Sequence, residues 1–362
     1  MTDLRQKLTR LIEASGPISV SEYMAACLFD PQDGYYTSRE PFGAGGDFIT
    51  APEISQMFGE LLAVWAWSAW SANGKPVPSI LAEIGPGRGT LMADMLRTLG
   101  HLDPSFVTLT RVAMIEASPR LTEIQRGKLE AGRARPTWYQ DISALPDLPL
   151  VIVGNELFDA LPVRQFVKTP RGWRERMVAL DDRGQLSFAA GMNGLDEALL
   201  PADAADAPNG AIVELAPARE ALMDMIAARI AKRGGAGIFI DYGHLQPGTG
   251  DTLQAMRAHQ FDDVLANPGE ADLTSHVDFA ALAAVARARG LETRLMTQGD
   301  FLVGMGLVER AGALGANCDA ATRERLEGEV QRLAGPDAMG TLFKVLLVAP
   351  KGIALPPAIA TD

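Results

Sequence analysis

Three groups of residues in this chain have the types and spacing for chemistry. The first is Glu83-Ile84-Gly85-Pro86-Gly87-Arg88-Gly89-Thr90, where an apolar run ends in an acid and glycines follow at alternate positions. The second is Asn155-Glu156-Leu157-Phe158-Asp159, in which two carboxylates lie three residues apart behind the apolar run Leu150-Val151-Ile152-Val153. The third is His276, one of four histidines, in Asp272-Leu273-Thr274-Ser275-His276-Val277-Asp278-Phe279. Glycines let the backbone turn sharply and let a ligand approach it, and a helix start beyond them offers unpaired N–H groups and the positive end of its dipole. A dinucleotide fingerprint asks for a further glycine where Thr90 stands. Glu83, two residues before Gly85, would repel a pyrophosphate and suits an ammonium group, so the loop points to S-adenosylmethionine with Gly85, Gly87 and Gly89 as the pocket floor. Glu156 and Asp159, if one helical turn apart, can face one cation and hold an amine or guanidinium by charge-assisted hydrogen bonds. The same acids would also suit a plain helix start. His276 can move protons near neutral pH, or serve as a capping or packing residue.

The surrounding sequence predicts the elements that position these groups. Leu91, Met92, Met95 and Leu96 recur at helical spacing after the loop, and strands and helices then alternate in the pattern of a mostly parallel sheet covered on both faces. Arg111-Val112-Ala113-Met114-Ile115-Glu116 is expected as the second strand, its terminal acid standing where a carboxylate meets ribose hydroxyls. Gly89 to Glu116 is 27 residues, longer than the usual distance of about 20. A loop at His101 to Ser105 is expected to hold the excess. Asp141 falls where a third strand should end, and could accept from an adenine amino group or cap a helix. Further strands are expected at Gly237 to Ile240, Leu291 to Thr297 and Thr341 to Val348. Upstream, Met1 to Ser15 and Ile54 to Trp70 read as helices. Between them the glycine-rich segment Phe42 to Glu53 sets Asp47, Thr50 and Glu53 among apolar neighbours. The breaker Asn73-Gly74-Lys75-Pro76 suggests an N-terminal helical lid region over 1–75, a core over 76–350 with insertions near 163–215 and 243–280, and a tail over 351–362.

The composition bounds the function. Hydrophobic residues at 47% and charged ones at 22% of 362 residues are those of a globular protein, and a formal charge of −12 disfavours nonspecific binding to nucleic acid or anionic lipid. Cys27 and Cys318 have no pairing or metal spacing, which fits a reducing compartment. The chain shows neither a run of membrane-spanning length nor a secretory signal pattern, so a cytoplasmic protein without membrane insertion is expected. No metal-ligand spacing and no nucleophile elbow are present.

Together, Gly46-Asp47-Phe48-Ile49-Thr50-Ala51-Pro52-Glu53-Ile54-Ser55, the Glu83 to Thr90 loop, Asn155-Glu156-Leu157-Phe158-Asp159-Ala160-Leu161-Pro162 and the Asp272 to Phe279 stretch resemble the MidA family of S-adenosylmethionine-dependent methyltransferases across nearly the whole chain. That resemblance implies an α/β fold, a Rossmann-like class I methyltransferase with a seven-strand sheet, an N-terminal helical region and insertions. For mitochondrial relatives it implies a protein arginine methyltransferase acting in respiratory complex I assembly on the quinone-proximal subunit. It further implies that Glu83, Gly85, Gly87 and Gly89 cradle the methionine end, Glu116 the ribose and Asp141 the adenine side. Thr90 and Asn155 join the cofactor set, and Asp47, Thr50 and Glu53 close over the site. Glu156 and Asp159 would hold a substrate guanidinium, with His276 as a second-rank contact or relay. Two other readings stay open on the sequence: a nicotinamide-dependent oxidoreductase on the same sheet, and an assembly chaperone without catalysis.

Overall fold

Ser79–Ile84 (β1) is buried along its whole length, as a strand covered on both faces must be. Along the main path of its sheet it is joined by Thr110–Ile115 (β2), Thr137–Tyr139 (β3), Leu150–Asn155 (β4), Gly235–His244 (β5), Glu292–Thr297 (β6) and Phe343–Ala349 (β7). The structure, a computed structural model, describes residues 3–38, 50–130, 132 and 134–357. By their contacts the residues fall into two units, one drawn from Ile49–Leu157, Leu222–Leu245 and Phe279–Asp362, the other from Met1–Phe48, Phe158–Ala221 and Gln246–Asp278.

The first unit contains the large sheet, in the order β6-β7-β5-β4-β1-β2-β3. β1 through β5 pair in parallel where they are neighbours, while β7 runs antiparallel to both β5 and β6. The register aligns the carboxyl ends: Ile84 stands opposite Ile115 and Gly154, Ile115 opposite Tyr139, and Asn155 opposite Ile240. Strands β1 to β3 proceed outward on one side and β4 to β5 on the other, where β7 is inserted between β5 and the edge strand β6. The crevice between β1 and β4 is therefore the switch point where open α/β sheets bind ligands.

Helix Gln56–Ala72 packs on this sheet through Met57, Phe58, Leu62, Trp65 and Trp70, with the Trp70 ring edge-on to Phe106 at 4.9 Å. It starts two residues later than the apolar pattern suggests, because Ser55 is extended and its Oγ accepts the Met57 N–H at 3.2 Å. Ala51–Ile54 forms a separate short helix ahead of it. The long helix belongs to the unit that holds the large sheet. The loop expected at His101 to Ser105 is instead mostly helix. Thr90–Leu102 runs on to Leu102, and Asp103 then caps Pro104–Leu109 by accepting the Ser105 N–H at 3.0 Å.

The second unit gathers the N-terminal helices with both insertions. Its antiparallel sheet has the order Ile18–Ser19, Gly172–Leu180, Arg164–Thr169, Ile212–Leu215, with Leu186–Gly194 paired to Gly172–Leu180. Three short strands, Gln254–Arg257, Gln260–Asp262 and Asp272–Thr274, form a further sheet where the sequence shows little periodicity. Helix Asp3–Ser15 buries Leu4, Leu8 and Ile12, and a capping box between Ser19 and Glu22 starts Val20–Phe29. Two long-range bonds fasten these helices: Arg5 Nη2 donates to the Leu265 carbonyl and the Tyr23 hydroxyl to that of Val264, both at 2.7 Å.

Candidate cofactor site

The loop after β1 turns on three glycines with positive φ: Gly85 at +66°, Gly87 at +51° and Gly89 at +77°. Crowding adds to the backbone requirement, since a Cβ at Gly85 would stand 3.0 Å from Leu157 Cδ1 and one at Gly89 3.4 Å from Gln125 Cγ. The loop is fastened at both ends, by Gly85 N–H to the Ile115 carbonyl at 3.1 Å and by Gly89 N–H to that of Pro86 at 2.7 Å. Gly89 is the N-cap of Thr90–Leu102 and offers no side-chain acceptor, which leaves the helix start available to a ligand.

Glu83 lies beneath this loop, 3% exposed. Burial pushes its carboxyl up to about 8, against a Met92 backbone N–H that favours the charge and with the Glu116 charge opposing it. Its Oε2 is a buried acceptor without a hydrogen-bond partner among the described residues, and so is Oδ1 of Asn155 at the end of β4. Asn155 Nδ2 donates to Glu156 Oε1 at 2.9 Å, and the Ala51 N–H reaches the same oxygen at 3.4 Å. Glu156 itself is held in the left-handed region at φ +51°. The bend is fixed from β5: Glu156 N–H donates to the Ile240 carbonyl at 2.8 Å, and Leu157 N–H to Asp241 Oδ2 at 3.1 Å.

At the end of β2, Glu116 accepts the Ser118 N–H at 2.7 Å and Gln125 Nε2 at 3.1 Å. Burial raises its pKa, and these two donors oppose the shift. Asp141, beyond β3, is exposed and caps Ile142–Ala144 by accepting the Ser143 N–H at 2.7 Å. That is the second of the two roles the sequence allowed it, and the Ser143 contacts lower its pKa. The Thr90 hydroxyl bonds Glu53 and Lys128, tying the short helix Ala51–Ile54 to the start of Thr90–Leu102. Thr50 precedes that short helix and its carbonyl accepts the Glu53 N–H at 2.9 Å. Asp47 lies outside the described residues.

The structure corrects the geometry expected for Glu156 and Asp159. No helix forms between Glu156 and Pro162, because the bend at Glu156 and the turn at Asp159 and Ala160 take its place. The two acids are therefore not one helical turn apart, and the division between units falls between them. In its own unit Asp159 is 7% exposed, and its carbonyl accepts Arg219 Nη2 at 3.0 Å and the Ser275 N–H at 3.2 Å. Arg219 also donates to the His276 carbonyl at 2.7 Å, while the His276 N–H donates to Thr252 Oγ1 at 2.9 Å. Among the described residues no group of three or more His, Cys, Asp and Glu could hold a metal ion.

Residues 61–297 match the family model of S-adenosyl-L-methionine-dependent methyltransferases. The chain belongs to this methyltransferase family. It is 36% identical to mouse (Mus musculus) "Protein arginine methyltransferase NDUFAF7, mitochondrial" over 97% of this chain and 85% of that protein, and 35% identical to the human (Homo sapiens) protein of the same name over 97% and 84%. A Burkholderia thailandensis protein solved bound to S-adenosyl-homocysteine is 32% identical, with a TM-score of 0.83 covering 97% of this chain and 92% of that one. The α/β fold with a mixed central sheet matches the expectation, and the main path of that sheet has the seven strands expected.

The methyltransferase uses S-adenosylmethionine, and the residues at the sheet edge fit that group. Glu83 Oε2 and Asn155 Oδ1 are buried acceptors, which call for a donor, and an α-ammonium carries three N–H groups. An ammonium would also neutralise a carboxylate that burial otherwise disfavours. A nicotinamide dinucleotide brings its pyrophosphate to this position and would meet the same carboxylate with like charge. Asp241, Gln125 and Arg219 were not among the residues selected from the sequence. Asp241 stood in plain view at the end of an apolar run, the signal that singled out Glu83. A lone glutamine or arginine within a helical pattern carries no comparable signal.

Proposed function

We propose that this methyltransferase is a protein arginine N-methyltransferase that acts in the cytoplasm on the quinone-proximal subunit of respiratory complex I during assembly. The observation that carries the reading is the identity of about one residue in three, over nearly the whole chain, to proteins named protein arginine methyltransferases. The complex I subunit comes from the resemblance to the MidA family.

When bound, the cofactor supplies an electrophilic sulfonium methyl group. The residues of this chain position and neutralise. Glu83, Asn155 and the glycine loop hold the methionine end, Glu116 takes the ribose, and Asp141 marks the adenine side. Thr50, Glu53 and Thr90 border the entry to the loop. Glu156, held at its bend, orients the substrate guanidinium. With the cofactor bound, its methyl group would be the one received by the guanidinium nitrogen that Glu156 orients, and a carboxylate or water would take the proton that leaves that nitrogen. His276 is the second candidate for that proton.

The test is incubation of the purified protein with methyl-labelled S-adenosylmethionine and the isolated complex I subunit, followed by peptide mass spectrometry. A labelled arginine in that subunit, lost with Glu156→Gln while cofactor affinity stays nearly unchanged, is the expected result. Label on another residue type, or none in the presence of measurable cofactor binding, would overturn it.

A further inference from the structure

Helix Pro119–Leu129 buries Leu121, Gln125 and Leu129, and the most deeply buried of the three is the polar one, with no exposure. A buried primary amide costs free energy unless its donors and acceptor are matched. Here all are. Gln125 Nε2 donates to the Gly87 carbonyl at 2.8 Å and to Glu116 Oε2 at 3.1 Å, and Oε1 accepts the Trp138 indole N–H at 2.8 Å. These partners also fix which end of the amide is nitrogen, because a carbonyl and a carboxylate need donors and an indole N–H needs an acceptor. Gly89 contributes by lacking a Cβ, which would crowd Gln125 Cγ at 3.4 Å.

The three partners come from three separate parts of the sheet edge: the loop after β1, the end of β2, and β3. We infer that Gln125 is a positioning residue for the cofactor, holding the Gly87 carbonyl, the Glu116 carboxylate and the Trp138 ring in one arrangement. The inference rests on the assignment of Gly87 and Glu116 to the cofactor site. Gln125 sets where the ribose-binding carboxylate points and keeps it ionised, while the same amide fixes the loop that receives the methionine end.

Such a role has a pH signature. Glu116 accepts from ribose hydroxyls with all its lone pairs only when ionised, so cofactor affinity is present above its pKa and lost below it. Burial already raises that pKa and the Gln125 donor opposes the rise. Removing the donor moves the acid limb of the affinity profile to higher pH. The titratable and charged groups on the elements packed around Glu116 are Glu83 on β1, Arg88 in the loop, Arg111 on β2, Tyr139 on β3, and Arg120, Glu123, Arg126 and Lys128 on the helix of Gln125, the Arg126 guanidinium lying 5.2 Å from the Trp138 ring centre. None of them is altered by a change at Gln125.

The experiment is calorimetric titration of the full chain with S-adenosylhomocysteine from pH 5.5 to 8.5, on wild type, Gln125→Met, Gln125→Glu and Glu116→Gln, with thermal unfolding in parallel. Gln125→Met keeps the length and loses the hydrogen bonds. The expected result is a Kd raised about tenfold at pH 8, with an acid limb displaced upward by roughly half a unit to one unit. Gln125→Glu, which sets a second carboxylate beside Glu116, is expected to displace it further. A Kd shifted equally at every pH, an unchanged Kd, or failure of both Gln125 variants to fold would assign Gln125 a packing role and overturn the inference. If Glu116→Gln leaves the wild-type Kd and profile intact, the placement of the ribose at Glu116 fails instead.

Discussion

Asp241 Oδ2 accepts the backbone N–H of Leu157 at 3.1 Å, so a buried carboxylate on β5 fixes the residue directly after Glu156. Its other oxygen accepts the Tyr242 N–H at 2.9 Å. Without the Oδ2 acceptor the left-handed bend at Glu156 keeps the Ile240 carbonyl but loses its second hold on β5. Asp241→Ala leaves two N–H groups unmatched and is expected to lower stability by about 2–4 kcal/mol, read by urea unfolding. Methyl transfer should fall at least tenfold while the Kd for S-adenosylhomocysteine changes about threefold or less, because Glu83 and the glycine loop are untouched. A large loss of affinity with transfer unimpaired would contradict this division of roles.

Glu83 couples stability to pH. Its folded pKa of about 8 lies above the ordinary value of 4.5, so the folded protein holds a proton that the unfolded chain has released. That preference is fully present below about pH 4.5, and stability from this group declines as pH rises to 8. Glu83→Gln should therefore stabilise the ligand-free protein at pH 8.5, by on the order of 2–4 kcal/mol, and flatten this part of the profile. It should also weaken S-adenosylhomocysteine. Denaturation across pH 5 to 9 checks the first outcome and calorimetry the second; a variant less stable than wild type at pH 8.5 would refute the sign.

The same carboxyl predicts proton release. Pairing with an ammonium favours the ionised form, so cofactor uptake at pH 7 should expel a proton from Glu83. Titrations in buffers of different ionisation enthalpy should give different heats in wild type and nearly equal heats in Glu83→Gln.

Gly89→Val tests the loop. At φ +77° a β-branched residue is strained, and the added Cβ would press on Gln125 at 3.4 Å. The strain is roughly 1–3 kcal/mol, so the unfolding midpoint should drop by several degrees and S-adenosylhomocysteine binding should be lost. Gly100→Ala, where a Cβ meets nothing within 4 Å, should leave both intact.

Glu60 tests the packing behind the site. It is 5% exposed and receives Arg310 Nε at 2.7 Å and Arg97 Nη1 at 3.3 Å. Both arginines are about two-fifths exposed and can rehydrate when it is removed, so Glu60→Ala should cost only about 1–2 kcal/mol by urea unfolding. A loss beyond about 4 kcal/mol would mean that the arginines cannot reach water.

The centre of the sheet was legible because β1, β2, β4 and β5 are largely apolar runs that lead into polar residues. Glu83, Glu116 and Asn155 stand at those ends, where a strand period can be read. The helical spacing of Glu156 and Asp159 was misread because a bend stabilised by a residue on β5, Asp241, leaves no local trace. The same holds for the three short strands between Gln254 and Thr274, whose pairing depends on partners distant in sequence. Gln125 and Arg219 were invisible for a related reason: their importance lies in what the fold brings to them.

Arg5 meets the Leu265 carbonyl 260 residues further along the chain. During synthesis the N-terminal helix must therefore wait until its partner strands leave the ribosome, roughly 15–50 s at ordinary elongation rates. For that interval Leu4, Leu8 and Ile12 lack the part of their cluster that Leu253, Leu265 and Leu273 supply in the finished protein. The nascent chain should be a client of factors that shield apolar helices until those late residues are made.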